Sequence, residues 1–148
     1  MTRSVLLSVK PKHAQSLMAG TKTAEVRRRF PDIATGTLIY VYSSSPERAI
    51  IGTLRSEAVH RRGPDEVWEQ FKGTIDIDER YLDDYLTNAE EAVVVEVSAP
   101  KPWNIPIPLA QLRELIGVEP PQSYRYLTKE QATVLESGVE LSGSLRSR

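Results

Sequence analysis

Cysteine is absent from this chain of 148 residues. Disulfides and thiolate metal ligands are therefore excluded, and nothing in the composition argues for an oxidising compartment. Long apolar runs are also missing. The segment VLLSV, at 5–9, is too short for a signal-peptide core or a membrane span. A cytoplasmic location is expected by default, with no membrane partner. Histidine is scarce, and His13 and His60 lack partners at metal-ligand spacing, so no metal is expected. No Walker loop, no GxGxxG and no nucleophile elbow occurs, and no cofactor is expected. The chain has no internal repeat and no linker long enough to divide it.

What is present describes one folded domain. Hydrophobic residues make up 40% and charged residues 26%, the ordinary balance of a globular protein. The domain is expected over 1–137, with a mobile Ser- and Gly-rich tail over 138–148. The net charge of −1 conceals a segregation. Residues 1–62 carry 11 Lys and Arg against 4 Asp and Glu; residues 63–148 carry 8 against 16. A face built mainly from the first half attracts polyanions; alternatively the two halves neutralise each other across the fold.

Periodicity gives the elements. RSVLLSV, 3–9, reads as a buried strand ending at Lys10-Pro11. Pro11 opens a helix over 11–19 that buries Ala14, Leu17 and Met18, and Gly20 caps it. Thr23 to Phe30 alternates as a strand, with Glu25, Arg27 and Arg29 on one side and Ala24, Val26, Arg28 and Phe30 on the other. Residues 37–43 and 48–59 continue as strands, the first apolar on both faces as in a closed barrel, the second bent at Gly52. Two helices follow, one from Gly63-Pro64 burying Val67, Trp68 and Phe71, one over 78–87 burying Ile77, Tyr81, Leu82, Tyr85 and Leu86. Residues 92–98 return to strand, 101–107 are extended, and helices are predicted over 108–115 and, capped by Thr128, over 129–136. The class is α+β.

Three segments carry candidate chemistry. In the first, 20–29, the glycine frees backbone N–H groups in the turn that holds Lys22. Glu25 and Arg27 then project from one strand face. A guanidinium grips phosphate bidentately, lysine adds a point charge, and a carboxylate accepts from a base edge or acts as a general base. The plainer alternative is a surface ladder of ion pairs. In the second, Tyr42-Ser43-Ser44-Ser45-Pro46, successive hydroxyls bind phosphate or simply cap a turn. In the third, Tyr124 and Tyr126 flank Arg125 after Pro120-Pro121-Gln122-Ser123, which suits base stacking or, equally, a lid over the core. The acidic cluster at Asp83 and Asp84 lies on the polar face of a helix and reads as solvated.

These segments together resemble a known family. LLSVKPKHAQSLMAGTKTAEVRRRFP, IYVYSSSPERAIIGTL and PPQSYRYL are similar, in order, to the ASCH family of PUA-like domains, over about residues 3–127. The spacing Gly20, Lys22, Glu25, Arg27 is similar to that family's G-x-K-x-x-E-x-R signature. The resemblance implies a PUA-like small mixed β-barrel of five or six strands, three to five surrounding helices, and a cleft over the barrel. It implies RNA binding, single-stranded or structured, with a role in regulating translation or transcription; DNA is the second choice of partner. The expected binding residues are Lys10, Lys22, Glu25, Arg27, Arg28 and Arg29, the hydroxyls of Ser43, Ser44 and Ser45, and Gln122, Ser123, Tyr124 and Arg125.

Two enzymatic branches are similar to the same family. One removes the acetyl group of acetylcytidine with a lysine base and a threonine nucleophile. Lys22 matches the lysine, but Glu25 stands where the threonine belongs, so that activity is not expected. The other cleaves RNA, for which Lys22, Glu25 and Arg27 would serve as base, acid and charge clamp. If the protein is an enzyme, Lys22 and Glu25 are its catalytic candidates. A protein-interaction module built on the acidic helices is the third alternative. Oligomeric state is not readable.

Overall fold

The computed structural model describes residues 3–146, with the side chains of residues 3–138. Its core is one mixed sheet of six strands: β1 (Ser4–Val9), β2 (Ala24–Arg27), β3 (Leu38–Ser43), β4 (Ala49–Arg62), β5 (Ala92–Pro108) and β6 (Tyr124–Leu127). The spatial order is β2-β5-β4-β3-β1-β6. Only the β1–β3 pairing is parallel, in the register Val5 opposite Ile39. The long β4 and β5 run antiparallel along most of their length, with register shifts near Gly52 and Ala58. Such irregularities increase twist and bend the sheet on itself.

The curl is a half-barrel rather than the closed barrel expected from sequence. β2 pairs only with β5 and β6 only with β1, so no backbone ladder joins the two ends. β2 is also shorter than expected. Its residue Arg27 lies opposite Val93, and the partner strand starts at Ala92, so the ladder has at most one more residue to run. Arg28 and Arg29 turn out to solvent and Phe30 folds back into the interior, its ring 5.4 Å from that of Tyr124.

Because both faces of the central strands are apolar, the sheet is covered on both sides. The inner face packs Val5, Leu7, Ile39, Val41 and Val95 against Ala14, Leu17 and Met18 of α1 (Pro11–Ala19). Gly52 allows this helix to approach, since a Cβ there would meet the Met18 sulfur at 2.6 Å. The outer face packs Leu6, Tyr40, Ile50, Trp103 and Ile107 against α4 (Leu109–Ile116) and α5 (Lys129–Arg146). A third cluster joins Ala24, Val26 and Val94 to α2 (Val67–Phe71), which follows a 3-10 turn at Pro64–Glu66, and to α3 (Glu79–Tyr85).

Three differences from the sequence reading have physical causes. Tyr81, assigned to the buried stripe of α3, is 37% exposed, because the helix packs through Leu82 and Tyr85 while Tyr81 points the other way, toward His13 of α1. Tyr124–Leu127, a recognition segment by sequence, is strand β6, because it pairs antiparallel with β1 over Ser4–Leu7. The last helix continues ten residues beyond its expected end at 136, to Arg146. Gly138 does not stop it. The glycine marks a close crossing, where a Cβ would stand 3.1 Å from Leu115 of α4. The helix thus occupies much of the segment expected as a tail, whose residues 147–148 lie outside the described residues. Among the described residues, no helix is long and apolar enough to cross a membrane.

Candidate functional site

A cleft of about 880 Å³ opens where β1, β2 and β3 end and α1 and α3 begin. The local sequence builds its floor. Gly20 adopts φ 80° and ends α1, with the Thr21 and Lys22 N–H groups donating to the Ser16 carbonyl at 3.1 Å. Only a residue free of Cβ crowding takes that conformation cheaply. The turn delivers Lys22 to the interior, where Nζ donates to the Ile75 carbonyl at 2.5 Å and lies 3.3 Å from Glu25 Oε1. The other carboxylate oxygen, Oε2, accepts from Arg27 Nε at 3.1 Å and Nη2 at 3.0 Å.

Burial changes the meaning of this network. The side chains of Lys22, Glu25 and Arg27 are only 1%, 10% and 11% exposed, so this is not a surface ladder. Removing charges from water costs several kcal/mol each, by order of magnitude, unless each is paired and hydrogen-bonded. Here each one is. Glu25 is held from both sides and Lys22 is tied to a backbone carbonyl, which makes the pair a poor source of a free base. Arg27 reaches further: Nη2 donates to the Ser8 carbonyl at 2.6 Å, and Nη1 lies 3.5 Å from Ser123 Oγ.

The segment before β6 forms a wall. The Ser8 hydroxyl donates to the Pro121 carbonyl at 2.6 Å and the Ser8 N–H to the Ser123 carbonyl at 2.9 Å. These bonds hold Pro120 to Ser123 over the end of β1. Of the residues singled out from sequence, Lys10, Lys22, Glu25, Arg27, Arg28, Arg29, Ser44, Ser45, Gln122 and Ser123 all line the cleft.

Three others are not brought there. Ser43 is fully buried at the end of β3, its Oγ without a hydrogen-bond partner among the described residues. Tyr124 and Arg125 lie in β6, and strand alternation sends them to opposite faces. Tyr124 packs against the inner core beside Phe30, as does Tyr126, while Arg125 is exposed away from the cleft. The two tyrosines thus face the inner core and Arg125 the opposite side, so the three side chains are not presented together.

Sequence reasoning missed His13, Arg48, Tyr81 and Tyr85, all of which line the cleft, and gave Tyr42 no role of its own. His13 Nε2 lies 3.3 Å from the Tyr81 hydroxyl, and the rings meet edge-on at 5.3 Å. Burial, then the nearby Lys22, lowers the His13 pKa below the ordinary histidine value. Burial raises the hydroxyl pKa of Tyr42 and of Tyr85. Arg48 sits at φ 53°, a conformation unusual for a residue with a side chain. For His13 a signal existed: it falls beside Ala14 but off the Ala14, Leu17, Met18 stripe. For Arg48 there was none. Among the described residues, no three of His, Cys, Asp or Glu gather closely enough to hold a metal ion.

A curled six-stranded sheet with five helices and a cleft at its strand ends defines an α+β domain of the PUA-like class. The ASCH domain profile matches residues 7–102, and the chain belongs to the ASCH domain family. It is 30% identical over 136 residues to an ASCH domain-containing ribonuclease of Zymomonas mobilis, covering 91% of each chain. The crystal structure of ASCH from Zymomonas mobilis superposes with a TM-score of 0.86 at 30% identity, over 91% of this chain and 94% of that one. Human THYN1, solved with 5-methylcytosine-containing DNA, shares the fold at a TM-score of 0.60 and 16% identity, over 94% of this chain and 98% of that one.

Proposed function

We propose that the protein binds single-stranded RNA in this cleft. The observation that carries the reading is the charge on its walls. Six Lys and Arg side chains line it against one carboxylate, in a chain whose net charge is −1. Arg28, Arg29, Arg48 and Lys10 are exposed at the cleft and suited to phosphates, whereas Lys22 and Arg27 are committed to Glu25. Tyr81, 37% exposed at the cleft, offers a ring face on which an unpaired base stacks. A cytoplasmic location and a regulatory role in translation or transcription belong to the same proposal. The test is a titration of fluorescent single-stranded RNA at low salt, beside single-stranded DNA of the same sequence. Saturable RNA binding that weakens in Arg28→Glu is the expected result. No binding at low salt overturns the reading, and tighter binding of DNA reassigns the partner.

A second reading is that the bound RNA is cut. What favours it is the similarity, along nearly the whole chain, to a Zymomonas mobilis protein that is a ribonuclease by name. Incubation of the protein with labelled RNA, followed by denaturing electrophoresis, tests it; intact RNA after long incubation removes this second reading alone.

A further inference from the structure

The sequence candidates for acid and base, Glu25 and Lys22, are already bound to each other and to neighbours. A cleft that cuts RNA therefore needs a different proton carrier. We propose that His13 is that group, and that it takes the proton of the substrate's 2′-hydroxyl in an internal transesterification of RNA. The inference rests on the second reading above and names the chemistry and the substrate class of the same cleft.

Geometry singles out His13. It is the one imidazole on the cleft wall, half-buried at the start of α1, where its ring is fixed edge-on against Tyr81 from α3. Nε2 is engaged by the Tyr81 hydroxyl at 3.3 Å; among the described residues Nδ1 has no partner. In the tautomer where Nε2–H donates to that hydroxyl, the Nδ1 lone pair is free to accept a proton. Tyr81 is then a positioning residue. The charged groups acting on the ring are Lys22 from the turn, Glu25 from β2, Lys12 from α1 and Lys10 before it. Burial and the three lysines favour the neutral imidazole, Glu25 opposes them, and the net effect keeps the ring in its base form at neutral pH.

The step balances without any added reactant. The 2′ O–H bond breaks and its proton passes to His13. The 2′ oxygen forms a bond to phosphorus as the bond from phosphorus to the 5′ oxygen breaks. The departing 5′ oxygen gains a proton from water, and the imidazolium returns its own to solvent. The products are a 2′,3′-cyclic phosphate and a 5′-hydroxyl end. Arg48 and Lys10, on the same walls, are placed to hold the phosphate charge. DNA, lacking the 2′-hydroxyl, binds without being cut.

The experiment compares wild type, His13→Ala, His13→Gln and Tyr81→Phe for both RNA affinity and cleavage, with end analysis of the products. Both His13 variants are expected to lose about 100-fold or more in cleavage rate while keeping RNA affinity within about threefold. The wild-type rate should rise with pH through a point below the usual histidine range, and Tyr81→Phe should shift that point. An RNA with one 2′-deoxy residue at the cut site should resist cleavage there. Wild-type rate in His13→Gln, or products bearing 5′-phosphates, overturns the inference with the ribonuclease reading intact. Wild-type protein that binds RNA without cutting it overturns both of these and leaves binding. Protein that neither binds nor cuts RNA overturns all three.

Discussion

Arg27 of β2 donates through Nη2 to the carbonyl of Ser8 in β1 at 2.6 Å, across the side of the sheet that no backbone ladder closes. A side chain thus does part of what a sixth strand pairing would do in a full barrel. The same guanidinium grips Glu25, so closure of the curl and order on the cleft floor depend on one group. Arg27→Lys keeps the charge but not the fork that meets both acceptors. It is expected to cost about 1–3 kcal/mol in urea unfolding, the range for losing a hydrogen bond to a charged group, and to weaken RNA binding with it. A stability unchanged within error would show that the bridge is incidental.

Glu25 holds two buried cations, and its removal strands both. Glu25→Gln is nearly isosteric, so the loss isolates charge. Breaking a buried ion pair from one side costs about 3–5 kcal/mol. Urea denaturation should show a loss of that order, whereas a change below about 1 kcal/mol would place the network with exposed pairs.

Salt dependence separates the exposed arginines from the buried one. Each phosphate contact on a single strand contributes about −0.7 to the slope of log affinity against log salt. Arg28→Glu and Arg29→Glu should each reduce that slope by about one contact and weaken binding for all sequences alike. A variant that lowers affinity for one base sequence and not another would assign that arginine to base recognition instead.

His13 also links folding to pH. Its folded-state pKa is lowered, by burial first and Lys22 second. The unfolded chain therefore binds the proton more readily, and the stability contributed by neutral His13 is present above the unfolded value. It is lost as pH falls from there through the folded value. His13→Gln should remove this part of the acid slope when unfolding free energies are measured from neutral pH downward. An identical slope in both proteins would mean that the ring's surroundings do not penalise its charge.

Much of this architecture is legible in the residues. Pro11 and Gly20 bracket α1 as read, because proline and glycine act through their own backbone geometry. The doubly apolar LIYVYS segment is a central strand covered on both faces. The cleft floor was legible as a spacing, Gly20, Lys22, Glu25, Arg27, but its burial was not, since burial comes from Ile75 and from the end of β1, remote in sequence. Tyr124 to Leu127 was missed as a strand for a similar reason: four residues carry little period, and β1 alone makes them a strand. Tyr81 was placed on the wrong side of a helix too short for its stripe to decide. Arg48 reached the cleft through a left-handed backbone that no pattern announces.

The floor also decides whether the cleft deacetylates acetylcytidine, as the amidohydrolase branch that the motif resembles does. That chemistry needs a hydroxyl nucleophile where this chain has Glu25, and a free lysine base where it has Lys22. Glu25 Oε1 faces Lys22 and Oε2 faces Arg27, so neither oxygen is free to attack a carbonyl carbon. A carboxylate attack would in any case form an anhydride rather than the ester a threonine forms. Lys22 Nζ donates to the Ile75 carbonyl at 2.5 Å, and losing its proton would break that bond and the ion pair together. Thr23, the nearest hydroxyl in sequence, is exposed and does not line the cleft. Purified protein incubated with acetylcytidine should release no cytidine above the uncatalysed background by chromatography. Glu25→Thr should not create the activity, since it leaves Lys22 and Arg27 unpaired rather than freeing a base. Turnover by the wild type that vanishes in Glu25→Ala, with the variant still folded by circular dichroism, would point to a reactive carboxylate, and the cleft floor would then be a catalytic centre rather than a brace.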